Sequence, residues 1–196
     1  MSDSPDLRTV VRLALPALGA LAAEPLYVLG DTAIMGHVST RALAGLALAG
    51  LLLSEALGFV TVLEYGATAK VSRLFGAGQE EEALDVGVQA TWFALGLGVF
   101  ALAVLELLAD PALRLLAGGD TSAHQQGLVW LRIAALGAPF VLVTAAGQGW
   151  MRGFQDTRTP FAVLGIANLA SICLSLLLVQ GMGLGIEGSA IANVIA

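Results

Sequence analysis

Long apolar stretches separated by short polar connections dominate the pattern along the chain. Five stretches are long enough to cross the hydrocarbon core of a bilayer, which takes about 20 mostly apolar residues in a helix. A sixth begins near Glu187 and runs to the last residue, Ala196. The pattern predicts an all-α membrane protein, a bundle of six transmembrane helices of which the sixth is truncated. The predicted spans are 10–35, 42–63, 86–109, 125–151, 160–179 and 187–196.

The composition agrees with a lipid environment. Hydrophobic residues make up 57% of the 196 residues and charged residues only 12%, whereas about a quarter of an average soluble domain is charged. This composition excludes a typical cytosolic enzyme, a disordered chain and a secreted disulfide scaffold, and the single Cys173 excludes an intrachain disulfide. The net charge of −6 argues against nucleic acid as a partner. The 24 glycines suit close helix packing in a bilayer.

The distribution of Lys and Arg predicts how the chain is oriented, because cytoplasmic connections carry the excess of basic residues. Six basic residues fall on the side of the N-terminus and two on the other side. We therefore expect a multi-pass protein of the cell's inner (plasma) membrane with its N-terminus in the cytoplasm. No basic n-region precedes a short apolar core with a cleavage site, so we expect the first span to be retained. The six residues are Arg8, Arg12, Lys70, Arg73, Arg152 and Arg158, and the two are Arg41 and Arg114.

Several ionisable side chains fall inside the predicted spans. An ionisable group at the centre of a spanning helix costs about 2.5–3.5 kcal/mol on insertion scales, so it usually has a partner or a function. We interpret Glu106 and Arg132 as structural, because both lie near helix ends and Arg132 can extend its charge toward the interface. Glu64 lies near the inner end of the second span and is interpreted as marking the interface. Asp31 and Glu24 are the candidates for a function.

A polar stripe runs along the first span. Glu24, Tyr27 and Asp31 share a face, because seven residues of an α-helix fall about 20° short of two full turns. Pro16 and Pro25 each remove a backbone hydrogen bond and permit a kink. Burial favours the uncharged form of a carboxyl group, so this helix is suited to change shape on protonation. The alternative is a structural carboxylate that caps a broken helix.

Other polar residues are candidates for lining a cavity. Asn168, Ser171 and Ser175 share a face of the fifth span, where ordinary interhelical hydrogen bonding is the alternative interpretation. Gln148 lies near the cytoplasmic end of the fourth span. The sequence contains no metal-binding spacing, no P-loop and no nucleophile–base pair placed in the membrane. These absences lead us to expect neither a metal site nor an enzyme.

Three motifs, in order, carry a resemblance to a known family. The first span contains Leu-Pro at 15–16, Glu-Pro-Leu at 24–26 and Asp-Thr-Ala-Ile-Met-Gly-His at 31–37. The second span ends in Leu-Glu-Tyr-Gly-Ala-Thr-Ala at 63–69, followed by Arg-Leu-Phe-Gly-Ala-Gly at 73–78. The connection before the fifth span reads Arg-Gly-Phe-Gln-Asp-Thr-Arg-Thr-Pro at 152–160. Together these motifs resemble the multidrug and toxic compound extrusion (MATE) family, and the second resembles its DinF-like branch.

The resemblance implies a fold of two six-helix bundles around a central cavity, related by a pseudo-two-fold axis along the membrane normal. Residues 1–196 correspond to the N-terminal lobe, so the sequence predicts that the C-terminal lobe of a longer protein is missing. The family exchanges protons or sodium ions for amphipathic, often cationic compounds. Its acidic residue in the first helix is carried here by Asp31, and its helix-bending position by Pro16. An Asn and an Asp of many members' fifth helix fall here on Ser171 and Ser175.

These observations lead us to expect a secondary active antiporter that exports amphipathic or cationic compounds. The two serines remove a sodium ligand and a second carboxylate, so we expect coupling to protons through Asp31, with Glu24 as a weaker candidate, and no cofactor beyond the proton gradient. The alternatives are a lipid-linked saccharide flippase and a truncated, non-transporting membrane scaffold. A flippase needs a strongly cationic cavity for pyrophosphate. The expected substrate cavity is lined by Tyr27, Gln148, Asn168, Ser171 and Ser175.

Overall fold

The computed structural model describes residue 25 and residues 28–196, except for the side chain of Phe59. Helices and short turns make up this described part, and no strand occurs in it. Residues 28–38 are helical and form the described part of α1. The helices that follow are α2 (Thr40–Ala56), α3 (Phe59–Gly76), α4 (Glu80–Leu116), α5 (Thr121–Ala135), α6 (Ala138–Gly153), α7 (Arg158–Ser175), a π-helical turn (Leu176–Gly181) and α8 (Gly185–Ile195).

Three helical segments of the described residues are long and apolar enough to cross a membrane. They are Thr40–Gly76, which joins α2 and α3, then Glu80–Leu116, and Arg158–Gly181, which joins α7 to the π-helical turn. A fourth is counted if α5 and α6, bent by 51° at their junction, form one span. The bend follows from the sequence at the junction, since Pro139 near the start of α6 lacks the N–H that a continuous helix would need.

The helices extend further than the apolar stretches that predicted them. The second and third spans were expected to end at residue 63 and to begin at residue 86, yet only residues 77–79 separate α3 from α4. The polar residues between those limits are good helix formers. Glu80, Glu81 and Glu82 also occupy the first turn of α4, where negative charge is favourable. Hydropathy marked the hydrocarbon core, and the helices continue past it into the interface.

Local hydrogen bonds end the helices at this side of the bundle. At the end of α3, the N–H groups of Gly78 and Gln79 donate to the carbonyls of Phe75 and Leu74, both at 3.0 Å. Gly78 has a φ of 76°, in the left-handed region that glycine adopts readily. The end of α6 repeats this pattern around Gln155, whose φ is 65°.

Asp156 begins the next helix from the connection after α6. Its Oδ1 accepts hydrogen bonds from the N–H groups of Arg158 and Thr159 at 3.1 and 3.0 Å. The hydrogen bond from the Thr159 side chain, followed by that from the Thr159 backbone, holds the pKa of the Asp156 carboxyl below its usual range. Short connections on this side therefore have defined local structure.

Small residues allow the helices to approach closely, as the glycine content indicated. A Cβ added to Gly45 of α2 would lie 2.7 Å from the backbone nitrogen of Gly127 in α5. One added to Gly149 of α6 would lie 2.5 Å from the carbonyl oxygen of Glu64 in α3. Both distances are below any normal carbon contact, so these crossings require glycine.

The largest buried core lies among α1, α2, α4, α5 and α8. Met35, Leu113 and Leu131 are fully buried in it. Trp130 of α5 and Ile34 of α1 also belong to this core. The core borders the buried polar residues of the described chain, which are Asp31, Ser171, Ser175 and Ser189.

Candidate ion-coupling site

Asp31 lies in α1 with only 7% of its surface exposed. Its carboxyl oxygens accept hydrogen bonds from Ser189 Oγ, at 3.0 Å to Oδ1 and 3.1 Å to Oδ2. Ser175 Oγ donates to Oδ1 at 3.3 Å. One carboxyl group thus connects three helices, because α7 supplies Ser175 and α8 supplies Ser189.

Ser175 is the last α-helical residue of α7, and the chain continues from it into the π-helical turn. In a π-helical turn the backbone hydrogen bonds join residues five apart instead of four, and such turns often occur at functional sites. Ser175 is buried, and Val179 in the π-helical turn is buried as well. The change of helix type therefore occurs directly beside the hydrogen bond to Asp31.

Ser189 also accepts a hydrogen bond from a residue of α5. The indole Nε1 of Trp130 donates to Ser189 Oγ at 3.2 Å. A hydroxyl has one proton to donate and can accept more than one hydrogen bond. Because the indole can only donate, Ser189 accepts from Trp130 and its own proton remains available to Asp31. Ser189 is fully buried and Trp130 nearly so, which keeps the three groups in place.

The site gathers neutral donors around one ionisable group. Among the described residues, none of the ion pairs includes Asp31. The hydroxyl of Ser175 can donate to a carboxylate, or it can turn and accept from a protonated carboxyl. The arrangement can therefore hold Asp31 in either protonation state, with different hydrogen bonds in each.

Of the other site and hinge residues predicted in the first span, Pro25 is the one that the structure describes. Pro25 is helical and exposed. Pro16, Glu24 and Tyr27 lie outside the described residues, so the polar stripe and the hinge stay predictions.

On α7, Ser171 is buried one turn before Ser175, and Asn168 is half-buried further back on the same helix. Ser171 has further polar or electrostatic contacts of its own. The structure thus joins Ser175 to Asp31 by a hydrogen bond and buries Ser171 on the same helix.

Gln148 belongs to a different polar cluster, between α3 and α6. Its Oε1 accepts a hydrogen bond from Arg152 Nη2 at 3.2 Å, and Arg152 Nη1 forms an ion pair with Glu64. Thr68 Oγ1 donates to the carbonyls of both Glu64 and Gly149, at 2.8 Å each. Glu64, expected only to mark the interface, is therefore the partner of Arg152.

Sequence reasoning missed Ser189 and Trp130. Ser189 is a small polar residue in the truncated sixth stretch, where a serine is an ordinary residue of a spanning helix. Trp130 lies in an apolar stretch, where its indole is as well explained by packing. A polar atom in each of two apolar spans was the available signal, and it does not say which helices meet.

Comparison with known families gives a match over most of the chain. The model of the MatE family matches residues 16–177. The chain is 31% identical over 185 residues to DNA damage-inducible protein F of Escherichia coli, covering 94% of this chain and 40% of the relative. It is 26% identical over 199 residues to the probable multidrug resistance protein NorM of Thermotoga maritima, covering 99% and 43%. The chain thus spans about two fifths of the length of these relatives.

Solved structures share the fold. A MOP superfamily transporter from Pyrococcus furiosus superposes with a TM-score of 0.86 at 23% identity, over 95% of this chain and 41% of that one. A MATE protein solved in a bent conformation gives the same TM-score, identity and coverage. The aligned part is the N-terminal portion of these folds. The family match over residues 16–177 and the shared fold show that the chain belongs to the MATE family and corresponds to its N-terminal half.

Proposed function

We propose that the chain is the N-terminal lobe of a secondary active exporter in which proton binding to Asp31 drives the release of an amphipathic or cationic compound. The observation that carries the proposal is the buried Asp31 carboxyl, held between three helices by neutral donors. An ionisable group in a spanning helix is costly unless it is used. A relative described as a probable multidrug resistance protein supports the transporter class.

The hydrogen bonds suggest how protonation changes the lobe. A carboxylate accepts the charge-assisted bonds of Ser175 and Ser189, which are roughly twice as strong as neutral ones. Protonation removes the charge and requires one hydroxyl to turn from donor to acceptor. The link from α1 to α7 and α8 then weakens, and the predicted first span can change shape at its hinge prolines, Pro16 and Pro25. MATE proteins solved in straight and bent conformations share this fold.

A proton and a cationic compound compete for the single negative charge of Asp31, and this competition couples proton uptake to export. A deprotonated Asp31 offers the charge that a cationic compound needs in a low-dielectric cavity. A proton neutralises that charge and removes the compound's counterion. Proton binding and cation binding are therefore mutually exclusive at one carboxyl group, which is what an antiporter requires.

Two arginines of the described spans, Arg132 and Arg152, are paired with acidic side chains, and this favours an exporter over a flippase. Arg132 Nε lies 3.7 Å from Glu106 Oε2, and Arg152 pairs with Glu64. A pyrophosphate site needs Arg or Lys side chains whose charge is available to the ligand. In the described part of the chain, both of these arginines already have an acidic partner.

The test is efflux by the complete gene product in proteoliposomes with an imposed pH gradient. Asn keeps the size of Asp, can form hydrogen bonds with both serines through its carbonyl and NH2 groups, and removes titration, so we expect Asp31→Asn to insert and unfold like the wild type yet lose gradient-driven efflux. Glu106→Gln, which also neutralises an acid in a span, is the matched control and should keep efflux. Omitting sodium should leave the wild-type rate near its full value.

Two results would contradict the proposal. Wild-type efflux by Asp31→Asn would show that this carboxyl group does not carry the coupling proton. A strict sodium requirement would show that the hydroxyl of Ser175 does not prevent sodium coupling.

A further inference from the structure

A groove between α3 and α4 opens on the surface of the described residues, with a volume of about 530 Å³. One stripe of each helix lines it, at i, i+4 spacing on α3 through Val62, Gly66 and Lys70. Phe93 and Leu97 form part of the opposite wall on α4. The α3 stripe alone is about 12 Å long at the rise of an α-helix, so the groove suits an extended chain.

The chemistry of the groove changes from one end to the other. Its far end is apolar and exposed, with Val62 73% and Phe93 65% accessible. Lys70 and Gln89 lie toward the end where α3 turns into α4. Lys70 is the one charged residue among the described residues that line the groove, and no described acidic side chain forms an ion pair with it.

We propose that this groove binds an anionic phospholipid, with an acyl chain along the apolar wall and the phosphate at Lys70. An exposed apolar groove in a bilayer is filled by hydrocarbon, and the Lys70 ammonium group, which has no ion pair with a described side chain, selects the headgroup charge at its end. The neighbouring acids of α4, including Asp85, do not line the groove. The four described basic residues near this end, Lys70, Arg73, Arg152 and Arg158, predict that it faces the cytoplasm, where leaflets carry anionic lipid.

The test uses the complete gene product, delipidated in detergent and titrated with phosphatidylglycerol or phosphatidylcholine, with binding followed by native mass spectrometry. A basic residue near an anionic surface contributes roughly a five-fold preference. We expect wild type to prefer phosphatidylglycerol by about that factor, and Lys70→Gln to lose the preference. Arg73→Gln removes an equally exposed charge one turn away that does not line the groove, and it should keep the preference.

A second pair of variants tests the apolar part. A Cβ at Gly66 meets nothing within 4 Å, so Gly66→Leu introduces a side chain at the groove from a position where its first carbon has open space. This variant should lower the occupancy of the most tightly bound lipid for both headgroups. Gly165→Leu, at an equally open and exposed position of α7, should leave occupancy unchanged. Because both changes favour helix formation, loss of folding is not expected in either.

Three outcomes would overturn the proposal. Equal losses in Lys70→Gln and Arg73→Gln would show diffuse surface charge instead of a site. Unchanged occupancy in Gly66→Leu would show that the lipid lies elsewhere. The third is tested by Phe93→p-benzoylphenylalanine in native membranes: photocrosslinking to lipid supports the site, whereas crosslinking to another segment of the gene product would show that protein covers the groove.

Discussion

Ser189 is the residue on which the geometry of the buried site depends. Its single hydroxyl accepts from Trp130 and donates to both oxygens of Asp31. Removing that hydroxyl leaves a buried indole N–H unpaired and takes a donor from a buried carboxyl group. Leaving a buried polar group without a partner costs more free energy than an intact hydrogen bond contributes to stability. The site is therefore most sensitive at a residue that is not itself ionisable.

We expect Ser189→Ala to lower the free energy of unfolding by about 1–3 kcal/mol, and Trp130→Phe to lower it as well. Both variants act through the same hydroxyl, so the double variant should lose less than the two single losses added together. Thermal unfolding in detergent measures all three, with the exposed Ser54→Ala as a control near the wild-type value. Strictly additive losses would show that Trp130 stabilises by packing alone, independently of Ser189.

Site residues in the spans could be predicted where their polarity is unusual for a membrane helix. Asp31 was found because a carboxyl group in an apolar helix demands an explanation, and Ser175 through its place on a polar face of the fifth span. Neither argument identifies a partner. Trp130 and Ser189 lie 59 residues apart, and only the packing of α5 against α8 brings them together.

The contact between α3 and α6 combines a close backbone approach with polar contacts. Gly149 lets the backbone of α6 approach the carbonyl of Glu64. Thr68 Oγ1 then bridges the two backbones, and the Arg152–Glu64 ion pair closes the same crossing. Backbone proximity permits the polar contacts, because Thr68 can reach Gly149 O only when the helices are this close.

Gly149→Ala should therefore separate the two helices. The added methyl group cannot be accommodated by a side-chain movement, since the atom it meets belongs to the backbone. We expect a loss of about 1–3 kcal/mol in the free energy of unfolding, as for other overpacked interiors. Gly147→Ala is the control on the same helix, because its nearest neighbour is the flexible end of Met151 at 3.7 Å. It should be neutral or stabilising, and equal losses in the two variants would refute the argument.

Helices were easier to predict from sequence than their ends and bends. The apolar stretch at 86–109 identified α4, but the helix also includes the acidic first turn and Pro111. The stretch at 125–151 predicted one continuous span, whereas α5 and α6 meet at 51°. Hydropathy reports on the solvent around a segment. Capping, proline position and helix propensity decide where the hydrogen bonds stop, and these act outside the hydrocarbon core as well.

At the scale of the molecule, basic residues are concentrated at one end of the described lobe. The Phe75 and Phe154 rings, 5.2 Å apart, bring the ends of α3 and α6 together. Lys70, Arg73, Arg152 and Arg158 lie at or near this end. Arg41 lies in the first turn of α2, and Arg114 lies near the end of α4 beside Asp110. The basic excess expected from the sequence is thus gathered at one end of the described bundle, and the rule for basic residues places that end in the cytoplasm.

Cysteine labelling decides this orientation. In a background with Cys173→Ala, we expect Ala77→Cys and Gln155→Cys to react with a membrane-impermeant maleimide only after cells are permeabilised, because both connections lie at the basic end. Thr121→Cys, exposed at the first turn of α5 on the opposite end, should react in intact cells and shows that the reagent reaches the protein. Labelling of residue 77 or 155 from outside, with Thr121→Cys protected, would reverse the topology. It would also place Lys70 and its groove in the outer leaflet, so that the lipid preference would have to be explained without the anionic cytoplasmic surface.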